Sequence, residues 1–541
     1  RMARLALVTA TGVAVVLGAS VAPAAVDISG PLTATPGPVD SPVSSQTPVA
    51  RAGLVCPGPE QQGLAEQTVP EVAQDVVVEA ATAPRPTMSD VSAAGELEEG
   101  EVALHRISGE ALDETRERGV VGRAGLEDAD GLLIDAREGL APGLSGAQLY
   151  RGDQEQRLAL SLTPCRAPLE ESWLVAGGEA PGRAERIVLV NPGSGPVDIR
   201  LDVLGTHGAA DPADGGEAAT EIALGAGERQ VLLVDALAPG VSGPVVRVTS
   251  SPGPVSAYLG DRWLEGSTDA GMQLTAPVAE PATRQVLGGL GDGRGVKQTD
   301  STASETTKTR EKDDIDSVTV RAAVPGAQGA VVQLRALTAE GPKRLDADVA
   351  VVEGRTTKDI TVRGLPHDSY ALEVASDQLV VAAAQVRSEA SSEGARDLTW
   401  APGLAVLREL GGTPLPQPQG GDGVEYQLAL SAPDGGAARV VVEDPEGDLD
   451  SSRVDLAAGH SLSQDLAGAA AVWVVPEGGE VYAAVTAQSS LRPRPSDDDV
   501  APVQGGQGQR RRAGPVTLLS VLGVPDLAVT RTVVGLTPEV P

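Results

Sequence analysis

One short motif has residue types and a spacing that could do covalent chemistry. Residues 459–463 read GHSLS and are similar to the G-x-S-x-G turn that presents a nucleophilic serine between a strand and a helix. The last position is Ser463 instead of glycine, and the repeat pattern described below predicts that Gly459 lies in a hairpin turn. We therefore predict no catalytic residue and no cofactor, and we expect that the protein is not an enzyme.

Acidic residues between Asp444 and Asp450 form the strongest candidate for a metal site. The carboxylates of Asp444, Asp448 and Asp450 offer oxygen ligands of the kind that calcium prefers. They follow a predicted strand, so the loop could surround an ion. An acidic turn has the same composition and is the default interpretation. We predict no metal, with calcium at these three residues as the alternative.

Three tryptophans, Trp173, Trp263 and Trp400, lie near the junctions of the predicted modules. Exposed aromatic rings can stack on sugars, so these residues form a possible ligand platform. The chain has four Trp, five Tyr and no Phe, which leaves few large side chains for a core. Core or interface anchors are therefore the interpretation we prefer.

The two cysteines of the chain, Cys56 and Cys165, are not arranged as a CxxC motif, which argues against a structural zinc site. A disulfide between them fits an oxidising compartment. Two buried free thiols are the alternative. We predict the disulfide, because the amino-terminal segment indicates export.

That segment has the layout of an export signal. Arg1 and Arg4 precede residues 5–26, an uncharged run rich in Val, Ala and Leu that ends in small residues. The run is also long enough to stay in a membrane as a signal anchor. We expect an extracellular or cell-envelope protein that contacts a membrane only through this segment.

Composition excludes several classes of protein. The chain has 75 Asp and Glu against 42 Lys and Arg, a net charge of −33, which repels nucleic-acid phosphates. We therefore predict no nucleic-acid partner. Its 65 Gly and 41 Pro are too many for long helices and favour short strands joined by turns.

A strand pattern recurs three times beyond residue 180. Apolar residues stand five, seven and nine positions after Pro192, Pro325 and Pro433. They are Val197, Ile199 and Leu201; Ala330, Val332 and Leu334; and Ala438, Val440 and Val442. Alternation with a period of two after a fixed turn is typical of a strand.

Two further spacings support the repeat. Apolar pairs stand five and three positions before a glycine: Ile222 and Leu224 before Gly227, Val349 and Val351 before Gly354, and Val454 and Leu456 before Gly459. Valines seven residues apart follow: Val248 and Val255, Val374 and Val381, and Val474 and Val481. Residues 53–168 do not show the pattern and are interpreted as a separate β-rich unit.

We predict an all-β protein of tandem immunoglobulin-like β-sandwich modules. The predicted segments are a signal peptide or anchor (1–26), a Pro- and Thr-rich linker (27–52), the N-terminal β-rich unit closed by Cys56 and Cys165 (53–168), sandwich 1 (169–286), a polar linker (287–314), sandwich 2 (315–402), a Gly/Pro linker (403–423), and sandwich 3 (424–541) with a disordered insert (492–514).

Several motifs are similar to those of one known family. They are LVCP at 54–57, GLAPGL at 139–144, WLVAG at 173–177, LVNP at 189–192, DALAPG at 235–240 and PVSAY at 254–258. On these motifs the chain resembles the actinobacterial exported proteins grouped as DUF5719, a domain of unknown function. The resemblance implies an exported or membrane-anchored envelope protein and carries over no catalytic residue.

We therefore expect a non-catalytic cell-envelope protein that acts as a scaffold, spacer or interaction platform, with an envelope protein or cell-wall glycan as partner. One alternative is an envelope glycan-binding protein that exposes its tryptophans in a groove. Another is a secreted glycan-active hydrolase, in which two carboxylates of one module face each other across a cleft. Buried tryptophans without such a cleft would argue against both alternatives.

Overall fold

The computed structural model describes residues 44–534 except for 61–75, 90, 92–98, 120, 127–129, 155–156, 210–219, 267, 292–317, 367, 389, 392–393, 419–422 and 493–513. The predicted signal segment 1–26, residues 27–43 of the first linker, and nearly all of the polar linker and the insert lie outside the described residues. Within the described part the protein is almost entirely β, which confirms the predicted class.

The strands of the first half of the chain are as follows. They begin with β1 (Ser44–Pro48), β2 (Arg51–Cys56), β3 (Val76–Thr82), β4 (Gly100–Arg106), β5 (Ala111–Thr115), β6 (Gly122–Leu126), β7 (Leu132–Glu138), β8 (Leu144–Gln154) and β9 (Arg157–Pro164). They continue with β10 (Glu171–Val175), β11 (Arg183–Val190), β12 (Val197–Gly205), β13 (Gly208–Ala209), β14 (Thr220–Leu224), β15 (Arg229–Leu233), β16 (Val245–Ser251), β17 (Ser256–Glu265) and β18 (Thr268–Thr275). Two short helices are α1 (Arg85–Ser89) and α2 (Val234–Leu237).

The second half contains the remaining strands. They are β19 (Ala282–Leu290), β20 (Val318–Ala323), β21 (Ala330–Thr338), β22 (Gly341–Val352), β23 (Thr357–Val362), β24 (Tyr370–Arg387), β25 (Leu398–Pro402), β26 (Gly411–Pro414), β27 (Glu425–Ala432), β28 (Gly436–Glu443), β29 (Leu449–Leu456), β30 (His460–Asp465), β31 (Ala471–Gly479), β32 (Tyr482–Leu491), β33 (Val516–Gly523) and β34 (Thr530–Val534). β34 forms a two-stranded sheet with β1.

Four repeats with a common strand order account for the described strands from β2 to β33. The strands of each repeat are numbered here by their position, 1 to 8, along the chain. In one antiparallel sheet the neighbouring strands have the order 1-6-3-4, and in the other they have the order 5-2-7-8. Repeat 1 comprises β2–β9, repeat 2 β10–β18, repeat 3 β19–β25 and repeat 4 β26–β33. In repeat 2, β13 and β14 share position 4, and in repeat 3 the long β24 supplies positions 6 and 7.

Apolar side chains between the paired sheets form the core of each repeat. β12 and β21 show the same alternation of buried and exposed residues, so Val197, Ile199 and Leu201 are buried like their counterparts in repeat 3. The spacing that follows each proline therefore correctly predicts the core face of the position-3 strand. Valine, leucine and alanine fill these cores, where each Å² of apolar surface removed from water contributes about 25 cal/mol.

The N-terminal region also has the repeat order, so the interpretation of residues 53–168 as a unit without the repeat is wrong. Its strands β2–β9 form the same 1-6-3-4 and 5-2-7-8 sheets. In repeats 2 to 4 a short proline-containing turn joins positions 2 and 3, whereas residues 83–99, which include α1, occupy this place in repeat 1. Because this connection is longer, the position-3 strand of repeat 1 does not follow a proline turn at the fixed spacing on which the sequence pattern depends.

Strand pairing also places two segments differently from the predicted boundaries. β19 pairs with β24 of repeat 3, although the sequence predicts that residues 282–286 end sandwich 1. β26 pairs with β31 of repeat 4, although it lies within the predicted linker 403–423. In repeats 3 and 4 the position-1 strand thus lies before the polar or Gly-rich stretch. Because composition alone predicts a module boundary at that stretch, it assigns this strand to the wrong segment.

The apolar pair of β22 that precedes Gly354 faces solvent. Val349 and Val351 are 53% and 60% exposed, while Ala350 and Val352 pair with core residues of β21. The turn residue with positive φ is Arg355 (58°) instead of the predicted glycine at the preceding position. Counted from Arg355, the core pair again stands five and three residues before the turn, so the pattern is shifted by one residue.

Residues 46–532 form one compact unit in which the repeats close into a ring. The position-8 strands β9, β18, β25 and β33, called here the central strands, contact one another in that order, and β33 contacts β9. Apolar residues of β8 and β9 in repeat 1 complete the core cluster of repeat 4. β21 and β30 share a bridge that joins sheets of repeats 3 and 4.

The predicted disulfide between Cys56 and Cys165 is confirmed, with Cα atoms 4.4 Å apart. It joins the end of β2 to the residue after β9, so it connects the two sheets of repeat 1. Backbone hydrogen bonds in both directions between Val55 and Arg166 lie beside it. Positions 1 and 8 of this repeat are therefore held together covalently.

Replacing both cysteines in the C56S/C165S variant lowers the free energy of unfolding by about 4 to 5 kcal/mol, because the bond closes a loop with a sequence separation of 109 residues. Urea unfolding with and without reductant measures the effect. Reductant lowers the wild-type midpoint and leaves the variant unchanged. A variant as stable as the oxidised wild-type protein would contradict the prediction.

Candidate functional site

The central strands meet at the axis of the ring, where side chains take the place of a neighbouring strand. Asp397 stands just before β25 and is fully buried. Its Oδ2 accepts hydrogen bonds from the backbone N–H groups of Leu160 (3.1 Å) and Leu519 (3.0 Å). One carboxylate of repeat 3 therefore connects the central strands of repeats 1 and 4.

A second set of polar side chains lies farther along the axis. The hydroxyl of Ser520 accepts from the backbone N–H of Leu162 (2.9 Å) and donates to Oε1 of Gln273 (3.0 Å). The hydroxyl of Thr399 also donates to Gln273 Oε1 (3.1 Å) and accepts from the N–H of Val521 (3.1 Å). These contacts link all four repeats through side chains of three of them.

Burial changes the acidity of the axial carboxyls. Removal from water raises the pKa of Asp397 well above its ordinary value, although three backbone N–H groups oppose the shift. Burial also raises the pKa of Asp269 to about 6; this carboxylate accepts from the N–H of Leu158 (3.0 Å). The folded ring therefore favours protonation of both groups.

Two more buried carboxyls lie where repeats 1 and 4 meet. Burial raises the pKa of Glu79 to about 7 despite the Arg123 guanidinium 3.1 Å away, and Arg123 also donates to the carbonyl of Gln417. Burial raises the pKa of Glu443 to about 7, and its Oε2 accepts from the indole N–H of Trp473 (3.1 Å).

A cavity opens at the carboxyl ends of the central strands, with a volume of about 40 Å³. Each repeat contributes the end of its central strand or the segment that follows, and the lining residues are 162, 164, 166, 175, 273–279, 400, 402–405 and 521–524. Arg166 is the one charged residue in this lining. We call this space the axial cavity and regard it as the candidate functional site.

Arg166 brings a positive charge to the axial cavity. Its side chain is partly accessible, yet the surrounding protein removes enough bulk water to lower the pKa of the guanidinium, while Tyr258 and Asp526 act in the opposite direction. Its backbone N–H donates to the Tyr258 hydroxyl (3.1 Å), which in turn donates to the carbonyl of Val55 (2.6 Å). The segment that carries Arg166 is thus fixed to repeats 1 and 2.

The three predicted tryptophans all contact one apolar cluster between repeats 2 and 3. Trp173 and Trp400 are 5% and 2% exposed, so neither ring offers an open face to a ligand, as the preferred interpretation of core or interface anchors requires. Their indole N–H groups donate to Glu171 (3.1 Å) and Asp261 (2.7 Å). Trp400 also lines the axial cavity, where it has an apolar packing role.

Trp263 is partly exposed and packs against the same cluster. The guanidinium carbons of Arg183 and Arg387 lie 4.8 and 4.5 Å from the centroid of its ring. Cation–π contacts of this kind hold the ring between repeat 2 and repeat 3. Two charged groups thus already cover parts of the surface on which a sugar would stack.

The acidic segment forms a turn. Oδ1 of Asp444 accepts from the backbone N–H groups of Glu446 (3.0 Å) and Asp448 (2.8 Å), which leaves this oxygen committed to the protein. Across the part of the chain that the structure describes, no group of three or more His, Cys, Asp or Glu side chains is arranged to hold a metal ion. This geometry fits the default interpretation of Asp444, Asp448 and Asp450 as an acidic turn.

The GHSLS motif has the predicted hairpin geometry. Gly459 has a φ of 77°, and His460 begins β30, so a strand instead of a helix follows the turn. The Ser461 hydroxyl is buried and accepts a hydrogen bond from Ser431 (3.1 Å). This serine has a structural partner and is not placed as a nucleophile.

The sequence gives little indication of the residues at the axis. Asp397 and Asp269 precede apolar residues near the start of a strand, where an aspartate is ordinarily a solvated turn residue. Arg166 follows a cysteine and has no distinctive neighbour. Their proximity depends on contacts between repeats more than a hundred residues apart, such as Leu158 with Asp269.

Comparisons with known proteins identify a family but no function. A family model described as "Family of unknown function (DUF5719)" matches residues 120–467. No curated protein matches the chain. A solved structure titled "Biofilm associated protein - BSP domain" shares 9% identity over 89% of this chain and 96% of its own, with a TM-score of 0.16. A glycoside hydrolase family 32 protein from Bifidobacterium adolescentis shares 10% identity over 89% and 97%, with a TM-score of 0.13.

Asp397→Ala lowers the free energy of unfolding by about 2 to 6 kcal/mol, because the buried backbone N–H groups of Leu160 and Leu519 lose their acceptor, in addition to that of the adjacent Leu398. Asp444→Ala is the matched control, since its carboxylate also accepts from two backbone N–H groups but in a turn at the surface. Water can replace that acceptor, so the expected loss is below about 1.5 kcal/mol. Urea unfolding compares the two variants, and equal losses would contradict the prediction.

Glu79 makes stability depend on pH. Because its folded pKa of about 7 exceeds the ordinary value of 4.5, the folded state holds the proton more tightly, and this contribution is present in acid and lost as the pH rises through 7. Relative to Glu79→Gln, the wild-type protein loses on the order of 2 to 3 kcal/mol of stability between about pH 5 and pH 8. Parallel curves of unfolding free energy against pH for the two proteins would contradict this.

Proposed function

The chain belongs to DUF5719, a family of unknown function, and from that premise we propose that it is a non-catalytic cell-envelope protein that acts as a scaffold or interaction platform. One observation carries the proposal. The carboxylates of Asp269 and Asp397 accept hydrogen bonds from backbone N–H groups of neighbouring repeats and so hold the four repeats in a closed ring. Groups committed in this way stabilise a rigid body whose loops and outer sheet faces are free to meet a partner.

We infer that the protein works outside the cytoplasm. The disulfide between Cys56 and Cys165 supports this location, since such bonds persist in oxidising compartments. The uncharged run 5–26 supports export through a signal peptide or a signal anchor. In the described ranges, none of the helices has the length and apolarity needed to cross a bilayer.

We infer that each repeat is a variant immunoglobulin-like module. The pairs of positions 2 and 5 and of positions 3 and 6 correspond to the B–E and C–F pairs of an immunoglobulin sandwich. Position 1 pairs with 6 and position 7 with 2, so the first and seventh strands lie on the opposite sheets from those of the immunoglobulin order. The ring places the modules side by side about an axis instead of in an extended series.

The hydrolase alternative would need two accessible carboxylates. Glu185 and Asp261 are direct cross-strand neighbours on β11 and β17, and burial raises the pKa of Glu185. Both are buried and accept from backbone N–H groups, of Gly178 (2.8 Å) and Gly177 (3.1 Å) respectively. Arg183 also lies 3.2 Å from Asp261. These contacts support a structural role for the pair and favour the scaffold over the hydrolase.

Affinity capture from native envelope tests the proposal. The full chain with a carboxyl-terminal tag is crosslinked to isolated envelope of the producing cells, with excess untagged protein and isolated cell-wall glycan as separate competitors. We expect an envelope protein that is retained, displaced by the untagged chain and unaffected by glycan. Heat-denatured chain is the control for nonspecific capture.

Other outcomes discriminate among the alternatives. Retention that isolated glycan abolishes would favour the glycan-binding protein. Release of reducing ends from purified cell wall by the intact chain, but not by Asp261→Asn, would favour the hydrolase. Failure to retain any envelope component above the denatured control would overturn the scaffold proposal.

A further inference from the structure

The axial cavity contains a positive charge without an opposite charge in contact with it. Among the described residues, no carboxylate forms an ion pair with Arg166 and no side chain hydrogen-bonds to its guanidinium; Asp526 acts on it only from a greater distance. The side chain is partly accessible, so the N–H groups of the guanidinium are open to water or to an anion that enters the cavity. The lining otherwise consists of uncharged residues, so the cavity itself offers no compensation beyond local dipoles.

The position of the cavity makes it a natural binding site. Its lining comes from all four repeats, at the carboxyl ends of the central strands. The rim residues Ala276, Pro402, Ala405 and Gly523 are partly or fully exposed, so the cavity communicates with solvent. Gln273, whose amide oxygen accepts from the hydroxyls of Thr399 and Ser520, also belongs to the lining.

Size and charge define the ligand class. A volume of about 40 Å³ accommodates roughly three water-sized groups, which fits an ion of formate or acetate size and excludes a sugar ring. The parallel N–H groups of a guanidinium match the two oxygens of a carboxylate. The apolar walls formed by Leu162, Leu404 and Val524 suit a methyl group better than further charge.

We propose that Arg166 binds one small monocarboxylate in the axial cavity. The anion receives two hydrogen bonds from the guanidinium and replaces water there. Because the lining segments belong to four repeats, binding to the folded state also stabilises closure of the ring by linkage. The proposal is independent of the scaffold function, which concerns outer surfaces of the same body.

Calorimetric titration of the full chain with sodium formate and sodium acetate tests the assignment, together with thermal unfolding in the same solutions. Acetamide has the shape of acetate without its charge and is the ligand control. Arg200→Met is the protein control, since it also removes one arginine, from an exposed pair with Asp202. Sodium chloride at equal concentration serves as the control for a spherical anion.

We expect saturable binding with a stoichiometry of one and a rise in melting temperature for wild type and Arg200→Met. Both effects disappear in Arg166→Met, and Arg166→Lys binds about tenfold more weakly because an ammonium cannot form the two parallel hydrogen bonds. If Arg166→Met does not fold, the Arg166→Lys comparison decides.

Four results would overturn the proposal: no saturable binding to wild type, equal effects of acetamide, equal competition by chloride, or wild-type affinity in Arg166→Lys. The envelope-capture experiment does not depend on any of them. Its failure and the failure of this proposal are therefore distinguishable.

Discussion

The structure depends on satisfying the backbone groups of four sheet edges that meet in the interior. An edge strand has a row of N–H and C=O groups without strand partners, and burial without other partners costs free energy for each group. Here carboxylate and hydroxyl side chains accept from those N–H groups, with Asp397 serving two strands at once. The ring can close only because these polar residues lie on the axis.

Closure determines which faces are buried. In repeat 1 the outer face of β8 and β9 completes the core cluster of repeat 4, so a sheet with an inner and an outer face becomes buried on both. Repeats 2 and 3 are joined by Arg321, which is almost fully buried, pairs with Asp359 and donates to the carbonyl of Ala176 (2.8 Å). Contacts between repeats are thus a mixture of apolar clusters and directional polar bonds.

The same closure explains the acidity pattern of the molecule. Carboxyls placed between repeats lose water and have raised pKa values, as Asp269 and Glu79 do. Arg166 is the complementary case, a cation that loses water at the mouth of the axis. Charges that are costly to bury are concentrated where repeats meet, and this concentration links assembly of the ring to protonation and to anions.

The sequence by itself determined the all-β class, the disulfide and the core face of the position-3 strand, because each follows from local spacing or from a unique pair of cysteines. Residues Val197, Ile199 and Leu201 illustrate this, since alternation along one strand fixes their common face. The exposure of Val349 was decided by tertiary structure, because a shift of one residue moves every side chain to the other face. The repeat in residues 53–168 and the roles of Asp397 and Arg166 were also decided there. They depend on which distant strands meet, and no spacing within a strand records that.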